Sequence, residues 1–261
     1  MDISIIIFLI ISFGSLVFAF ILEGGHVSAL LVGTAAIIVF GGTIGAVGVS
    51  FPIKSLKRAS GALKIAFTDQ SKDKGELIKY FVQVSQKTRQ NGLLSLEGDL
   101  GRNDMDPFIK KGLQGVVDGL EPSLIRNMLS LEVEMVNERH REAIAIFDAA
   151  GGYGPTMGII GTVMGLVHVL GNLSDPDSLG PKIAVAFIAT LYGVGSANLL
   201  WLPIASKLKA LNRQELLEKE LIIEAIISIQ EGINPGTLGE KLGGFLDKGE
   251  LLKYQSGRGE T

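Results

Sequence analysis

The chain has 261 residues, of which 47% are hydrophobic and 34 are Gly, and its mean hydropathy is +0.38, too apolar and glycine-rich for an ordinary soluble domain. A formal charge of -3, with acids and bases interspersed outside the apolar runs, argues against a nucleic-acid-binding surface. The lack of Cys excludes disulfides, thiolate catalysis and Cys-type zinc sites, and three scattered His residues cannot form a local metal cluster.

Ile3 to Leu22 is free of charge and mostly apolar, with only Met1 and Asp2 ahead of it. It lacks the basic start, short apolar core and small-residue cleavage site of a secretory signal, so it reads as a retained transmembrane helix. Glu23 to His26 form a tight link to a second charge-free run, Val27 to Ile53, which completes a first membrane hairpin over residues 1–53. His26, at that link, reads as an interfacial residue.

Residues 54–147 are charged in a helical manner and too long for a link. Expected helices are Ile53 to Phe67, Lys74 to Gln90, a short piece from Leu93 to Leu100, Met105 to Leu120, and one from Pro122 onward. Leu124, Met128, Leu131 and Met135 repeat at spacings of four, three and four, a stripe expected to serve helix packing. With no Gly or Pro from Ser123 to Ala150, the last helix is expected to run straight into the third span.

Residues 148–206 form the second hairpin. Gly151 to Leu170 and Ile183 to Ser206 are joined by a polar link, and each apolar run is about 20 residues, enough to cross the hydrocarbon core. Gly151, Gly154, Gly158, Gly161 and Gly165 recur at spacings of three and four, leaving one face almost without side-chain bulk, where another helix can press close. Pro155 and Pro203 each remove a backbone donor and free a carbonyl about one turn back, which suits kinking or gating. Thr162 and Thr190 place hydroxyls near mid-membrane, with Tyr192, Ser196 and Asn198 nearby. A Thr in a membrane helix ordinarily bonds its own preceding carbonyl, so neither hydroxyl alone argues for a site. His168, near the outer end of the third span, reads as a packing or interfacial residue.

None of the four spans carries Lys, Arg, Asp or Glu at its middle, so no carboxylate here can bind and release a cation at mid-membrane. The fold class is therefore all-α: a polytopic membrane protein with four transmembrane helices and a large helical cytoplasmic insert between spans 2 and 3. Residues 207–261 are expected to form a cytoplasmic helix, Leu208 to Ile229, and a tail that frays from about Gly249. Lys54, Lys57, Arg58, Lys64, Arg139, Arg141, Lys207, Lys209 and Arg213 flank the spans on one side. The two links hold only Lys182, beside Glu23, Asp175 and Asp177, so the positive-inside rule puts both termini and the insert in the cytoplasm.

Gly154-Pro155-Thr156-Met157-Gly158-Ile159-Ile160-Gly161-Thr162-Val163-Met164-Gly165 resembles the third span of the MotA/PomA flagellar stator subunits, within the MotA/TolQ/ExbB family. The stretch Ala184 to Gly193, with Leu202-Pro203-Ile204-Ala205, resembles the fourth span, and Arg89-Gln90-Asn91-Gly92-Leu93-Leu94-Ser95-Leu96-Glu97 resembles the family's rotor-facing segment. The resemblance implies a non-enzymatic stator subunit of the bacterial inner membrane that converts sodium or proton flow into flagellar torque, with no cofactor beyond the transported ion. It implies a homopentamer around a dimer of a MotB/PomB-like single-span partner that brings a membrane Asp and a peptidoglycan-binding domain, and a FliG-like rotor protein as the target. The roles it implies are gating for Pro155 and Pro203, charge contacts with the rotor for Arg89 and Glu97, and lining of the ion pathway or partner helices for Thr162, Thr190 and Phe187. Thr at both positions 162 and 190 is similar to the sodium-driven branch, and hydroxyl plus freed carbonyl oxygens suit a hard cation. Two other readings are an ExbB/TolQ-like energiser of outer-membrane processes, which usually has a single span before its insert, and a non-conducting membrane scaffold. An enzyme is disfavoured, because Gly151 to Gly154 lacks the strand and Lys of a phosphate cradle.

Overall fold

In a computed structural model of the chain, the described residues are 3–68, 73–101, 105–171 and 176–256, without the side chains of 176–178. Met1, Asp2, Asp175, the side chain of Asp177 and residues 257–261 of the expected tail lie outside that set. Every regular element among the described residues is helical. In chain order they are α1 (Ile3–Leu22), a 3₁₀ turn (Val27–Leu30), α2 (Gly33–Ala36), a π-helical turn (Ile37–Gly41), α3 (Gly42–Ser50), α4 (Ile53–Ala66) and α5 (Lys74–Asn91). A second 3₁₀ turn (Leu93–Leu96) leads to α6 (Glu97–Leu100), α7 (Pro107–Val117), α8 (Pro122–Leu170) and α9 (Pro176–Ser196). A second π-helical turn (Ala197–Trp201) precedes α10 (Leu202–Gln230), α11 (Pro235–Gly243) and α12 (Lys248–Ser256). Among the described residues four stretches are long and apolar enough to cross a membrane: Ile3–Leu22, Val27–Ser50, and parts of Pro122–Leu170 and Leu179–Gln230.

The chain divides into two units. The first, Met1–Asp69 with Arg139–Leu211, holds all four candidate spans; the second is Gln70–Glu138 with Asn212–Thr261.

Local chemistry sets the boundaries in the second unit. Asp73 caps α5 by accepting from the Gly75 and Glu76 amides at 2.7 and 3.3 Å, and Asp106 caps α7 by accepting from the Phe108 amide at 2.8 Å, with Pro107 as its first residue. Asn234 and Pro235 repeat the device on α11. Helices α7 and α10 both stop at a left-handed glycine. Gly119 (φ +72°) lets the Leu120 amide reach the Gly115 carbonyl, and Gly232 (φ +74°) does the same for Ile233 and Ser228, consuming carbonyls that would otherwise be orphaned. Ile78 and Phe81 of α5, Leu113 of α7, Leu129 of α8, Leu221, Ile222 and Ile226 of α10, and Leu238 and Leu242 of α11 fill its core.

Several expectations need correction here. The helix after the fourth span, read as a charged extension, has a C-terminal half that is buried nearly all round from Leu221 to Ile229 and forms the centre of this core. The residues expected to fray from Gly249 form α12 as far as Ser256, with Tyr254 buried. The stripe Leu124, Met128, Leu131 and Met135 does not pack within the chain. Its members are 40–58% exposed, while the adjacent face of α8 inserts Ile125 and Leu129 into the core.

Glu224 of α10 accepts from Arg126 at 2.9 Å and pairs with Lys241 of α11. The Lys241 hydrogen bond, against a desolvation cost and helped by Arg126, holds its carboxyl below the ordinary carboxylate range. A lowered folded-state pKa adds stability above the unfolded value of about 4.5, and that stability is lost as pH falls through the lowered value. The variant Glu224→Gln is expected to lower the thermal unfolding temperature of the purified protein at neutral pH. The gap to wild type should close as the buffer is taken below the ordinary carboxylate range; a gap independent of pH would contradict the assignment.

Candidate functional site

Within the first unit, α8 and α9 approach backbone to backbone along the glycine face. A Cβ on Gly158 would sit 2.9 Å from the Ala189 carbonyl oxygen and 3.2 Å from the Gly193 Cα. A Cβ on Gly193 would meet the Gly154 carbonyl oxygen at 2.5 Å and the Gly158 Cα at 2.9 Å, so neither position has room for a side chain. Gly161 and Gly165 face the methyl groups of Ala189 and Ala186. The small residues therefore do what their spacing suggested, letting two helices close where van der Waals contact, not hydrophobicity, drives association.

That closeness brings the two threonines together. Thr162 Oγ1 and Thr190 Oγ1 lie 2.5 Å apart, and Thr162 Oγ1 also lies within donating distance of the Gly158 carbonyl (3.1 Å) and, across the interface, the Ala186 carbonyl (2.9 Å). Each hydroxyl carries one proton and can accept as well. Thr162 can satisfy only one of its two carbonyls at a time, so the cluster of four oxygens keeps a spare acceptor. Such neutral oxygens can replace part of the water shell of a hard cation, but they bring no negative charge. Among the described residues no group of His, Asp and Glu could hold a metal ion. Glu142 and Asp148 lie on α8 ahead of its apolar run: Asp148 bonds Lys209 at 2.7 Å, and Glu142 accepts from Ser55 and Arg58 at 3.3 and 3.2 Å.

Phe187, one turn before Thr190 on α9, is 64% exposed and projects from the hairpin rather than into it. Pro155 lies within α8, half-buried. Pro203 lies in the first turn of α10, exposed and directly after the π-helical turn Ala197–Trp201. A π turn is one of the recognised ways a helix absorbs a kink, so the missing Pro203 N–H is accommodated by a change of pitch.

Sequence reasoning did not identify the role of Tyr192. The second span is not one uninterrupted helix: it breaks between Leu30 and Gly33, and the Tyr192 hydroxyl donates to the Leu30 carbonyl while accepting from the Val32 amide at 3.2 Å. One side chain thereby satisfies both a freed acceptor and a freed donor at membrane depth, where each would otherwise cost several kcal/mol. Gly33 was the only sequence sign of the break. The same span contributes Ile38 against Gly161, and Gly42 receives Met157.

Arg89 and Glu97 belong to the second unit, where both are exposed. They do not share a helix. Gly92, at φ +77°, ends α5, so Arg89 lies in its last turn while Glu97 opens α6, and Lys87 and Asp99 tie the two segments at 2.7 Å. Leu94, 70% exposed, sits on the turn between them.

The chain matches the MotA/TolQ/ExbB proton channel family over residues 101–221 and the Motility protein A N-terminal family over residues 6–92. It is 42% identical over 220 residues to the Bacillus subtilis protein YtxD, covering 84% of this chain and 80% of that one. It is 37% identical over 255 residues to Motility protein A of Bacillus subtilis, covering 97% of this chain and 94% of the relative. The structure of the flagellar MotAB stator complex from Bacillus subtilis superposes with a TM-score of 0.89 at 37% identity, over 95% of this chain and 98% of that one.

The backbone contact makes an asymmetric prediction. Gly193→Ala must push apart two backbones and is expected to cost at least about 1–3 kcal/mol, whereas Gly195→Ala, with nothing within 4 Å of the new methyl, should be nearly neutral. Thermal unfolding of the two detergent-solubilised variants checks this; equal effects would overturn the packing described.

Proposed function

This chain belongs to the MotA/TolQ/ExbB proton channel family and is a flagellar stator subunit, and we propose that its membrane hairpin is the neutral half of an ion path whose acid is supplied by a second protein. The subunit is a multi-pass inner-membrane protein whose work is not enzymatic, and its partner is of the MotB type. The observation that carries the reading is the oxygen cluster of Thr162, Thr190, Gly158 and Ala186, in spans with no carboxylate at their middle.

In the proposed mechanism the partner's single-span helix lies against the exposed Phe187 flank of α9. Its Asp provides charge and the threonine cluster provides exchangeable oxygens. Sodium is favoured over the proton because a proton needs only the carboxylate and water, whereas sodium needs several oxygens in place of its shell. Passage of the ion alters the pitch at Pro203 and the kink at Pro155. Five copies surround a partner dimer. The exposed Leu124, Met128, Leu131 and Met135 stripe supports an assembly of copies, since four large apolar side chains at helical spacing are otherwise left in water. Both termini lie in the cytoplasm, by the basic residues that flank the spans. There Arg89 and Glu97, on either side of Leu94, meet a FliG-like rotor protein. Exposed opposite charges orient an encounter more than they tighten it, which suits a contact made and broken at each step.

The test is complementation. In a strain lacking its own stator, this chain expressed with a MotB-type partner is expected to restore swimming, and Asp→Asn in the partner's membrane span should abolish it. Swimming that survives the partner's substitution would sink the proposal. Swimming speed should rise with external sodium, and Thr162→Ala should remove that dependence or stop motility; speed independent of sodium in the wild type would reject sodium alone. For the rotor face, Arg89→Glu is expected to impair swimming while leaving the amount of assembled complex unchanged, and loss of the complex itself would refute the assigned role.

A further inference from the structure

A groove of about 370 Å³ opens within the first unit between α1, the end of α4 and the π-helical turn with the start of α10. Its wall is apolar: Ile5, Phe8 and Leu9 of α1 face Phe67 on one side and Leu199, Pro203 and Ile204 on another. Ser12 and Asn198 also line it, but each already bonds a carbonyl of its own helix, Phe8 and Val194 respectively. One charge enters the lining, that of Lys207.

The length of the groove is informative. From Ser4 to Ser12 on one wall and from Asn198 to Lys207 on the other, a rise of 1.5 Å per residue gives about 12–14 Å, close to the ~15 Å depth of one leaflet of a ~30 Å hydrocarbon core. A slot of leaflet depth that is apolar along its wall and cationic at one end has the shape and charge distribution of a seat for one acyl chain and its headgroup. The neighbouring helix strengthens the charge argument. Residues 53–68, which include all of α4, carry Lys54, Lys57, Arg58 and Lys64 and no Asp or Glu, and its C-terminal residue Ala66 lines the groove. Arg58 pairs with Glu142, but Lys54, Lys57 and Lys64 have no carboxylate partner among the described residues. A basic, acid-free amphipathic helix beside a span attracts anionic lipid at roughly a fivefold gain in binding per Lys.

We infer that this groove binds an anionic phospholipid, its acyl chain against Ile5, Phe8, Leu199 and Pro203 and its phosphate toward Lys207 and the basic face of α4. The location gives the lipid something to act on. Pro203 has no N–H to offer the Leu199 carbonyl, and both residues line the groove, so an acyl chain seated there braces the one turn of the fourth span whose pitch is already irregular. The inference does not depend on which ion passes or on which face of the membrane Lys207 lies.

The test uses the full chain in complex with its MotB-type partner, exchanged into nanodiscs of phosphatidylcholine carrying a minor fraction of phosphatidylglycerol, with lipids retained after detergent extraction counted by native mass spectrometry. Phosphatidylglycerol is expected to be retained in preference to phosphatidylcholine. Lys207→Gln should reduce that preference about fivefold, Ile5→Trp should occlude the groove and abolish retention, and Phe18→Trp, on an exposed face of α1 outside the groove, should change nothing. Equal retention of the two lipids would overturn the inference, as would full retention in Ile5→Trp. Because Lys207→Gln alters only a charge, its result stands even if the bulkier variant fails to assemble.

Discussion

The contact between Gly158 of the third span and Gly193 of the fourth governs the rest of the membrane part. With no side chain between them, the two backbones close until a single methyl at Gly193 would overlap a carbonyl oxygen and a Cα. Only at that separation can Thr162 reach the Ala186 carbonyl and the Thr190 hydroxyl across the interface. Had either glycine been alanine, Thr162 would still have the Gly158 carbonyl of its own helix, and the cluster would shrink to an ordinary satisfied hydroxyl. The glycine face is thus a packing device whose product is a polar one.

A bilayer makes such arrangements costly to disturb, because a backbone group that loses its partner finds no water. Among the described residues the membrane spans depart from regular α-helix at three places, and each has a local remedy. The break before Gly33 is closed by the Tyr192 hydroxyl, which acts as acceptor and donor at once. The turns at Ile37–Gly41 and Ala197–Trp201 widen to π pitch and keep their hydrogen bonds, with the second lying directly ahead of Pro203. These irregularities lie in the second and fourth spans, the fourth being the one that carries Thr190. Tyr192 is only two residues from Thr190, so a shift of α9 that disturbs the oxygens also pulls on the cap of the second span.

Much of this could be read from the residues. In the second unit Asp73, Asp106 and the Asn234-Pro235 pair set helix starts by themselves, because a cap is a short-range chemical event recorded in two or three letters. The glycine spacing foretold a close helix partner because bulk, or its lack, is also local information. What escaped was set by distant partners. Nothing near Leu221 to Ile229 says that α5, α7, α8 and α11 will share a core with it, so its interspersed Glu224 and its charged approach read as solvated. Leu124 and Met128 looked like core because they are apolar at the right period, yet Ile125 and Leu129, one step round the helix, took that role. Gly92, in the left-handed region, ends α5, so Arg89 and Glu97 sit on different helices joined by a turn, which depends on a backbone angle that the letter Gly permits but does not dictate.

The absence of charge in the span middles also explains why the oxygens are neutral. A carboxylate held permanently at the bilayer centre costs about 2.5–3.5 kcal/mol on insertion scales, and a wall that combined it with four oxygen ligands would hold a cation firmly. A conducting site has to bind weakly enough to release. With the acid on one protein and the oxygens on another, as proposed, the full ligand set would exist only while the two surfaces are aligned, and the affinity of the path would depend on their relative position. Under that arrangement ion occupancy and movement between the two proteins become the same variable. A spare carbonyl beside Thr162 then serves better than a saturated pair, because a hydroxyl that can turn its proton from the Gly158 to the Ala186 carbonyl yields to an arriving ion without breaking the helix that carries it.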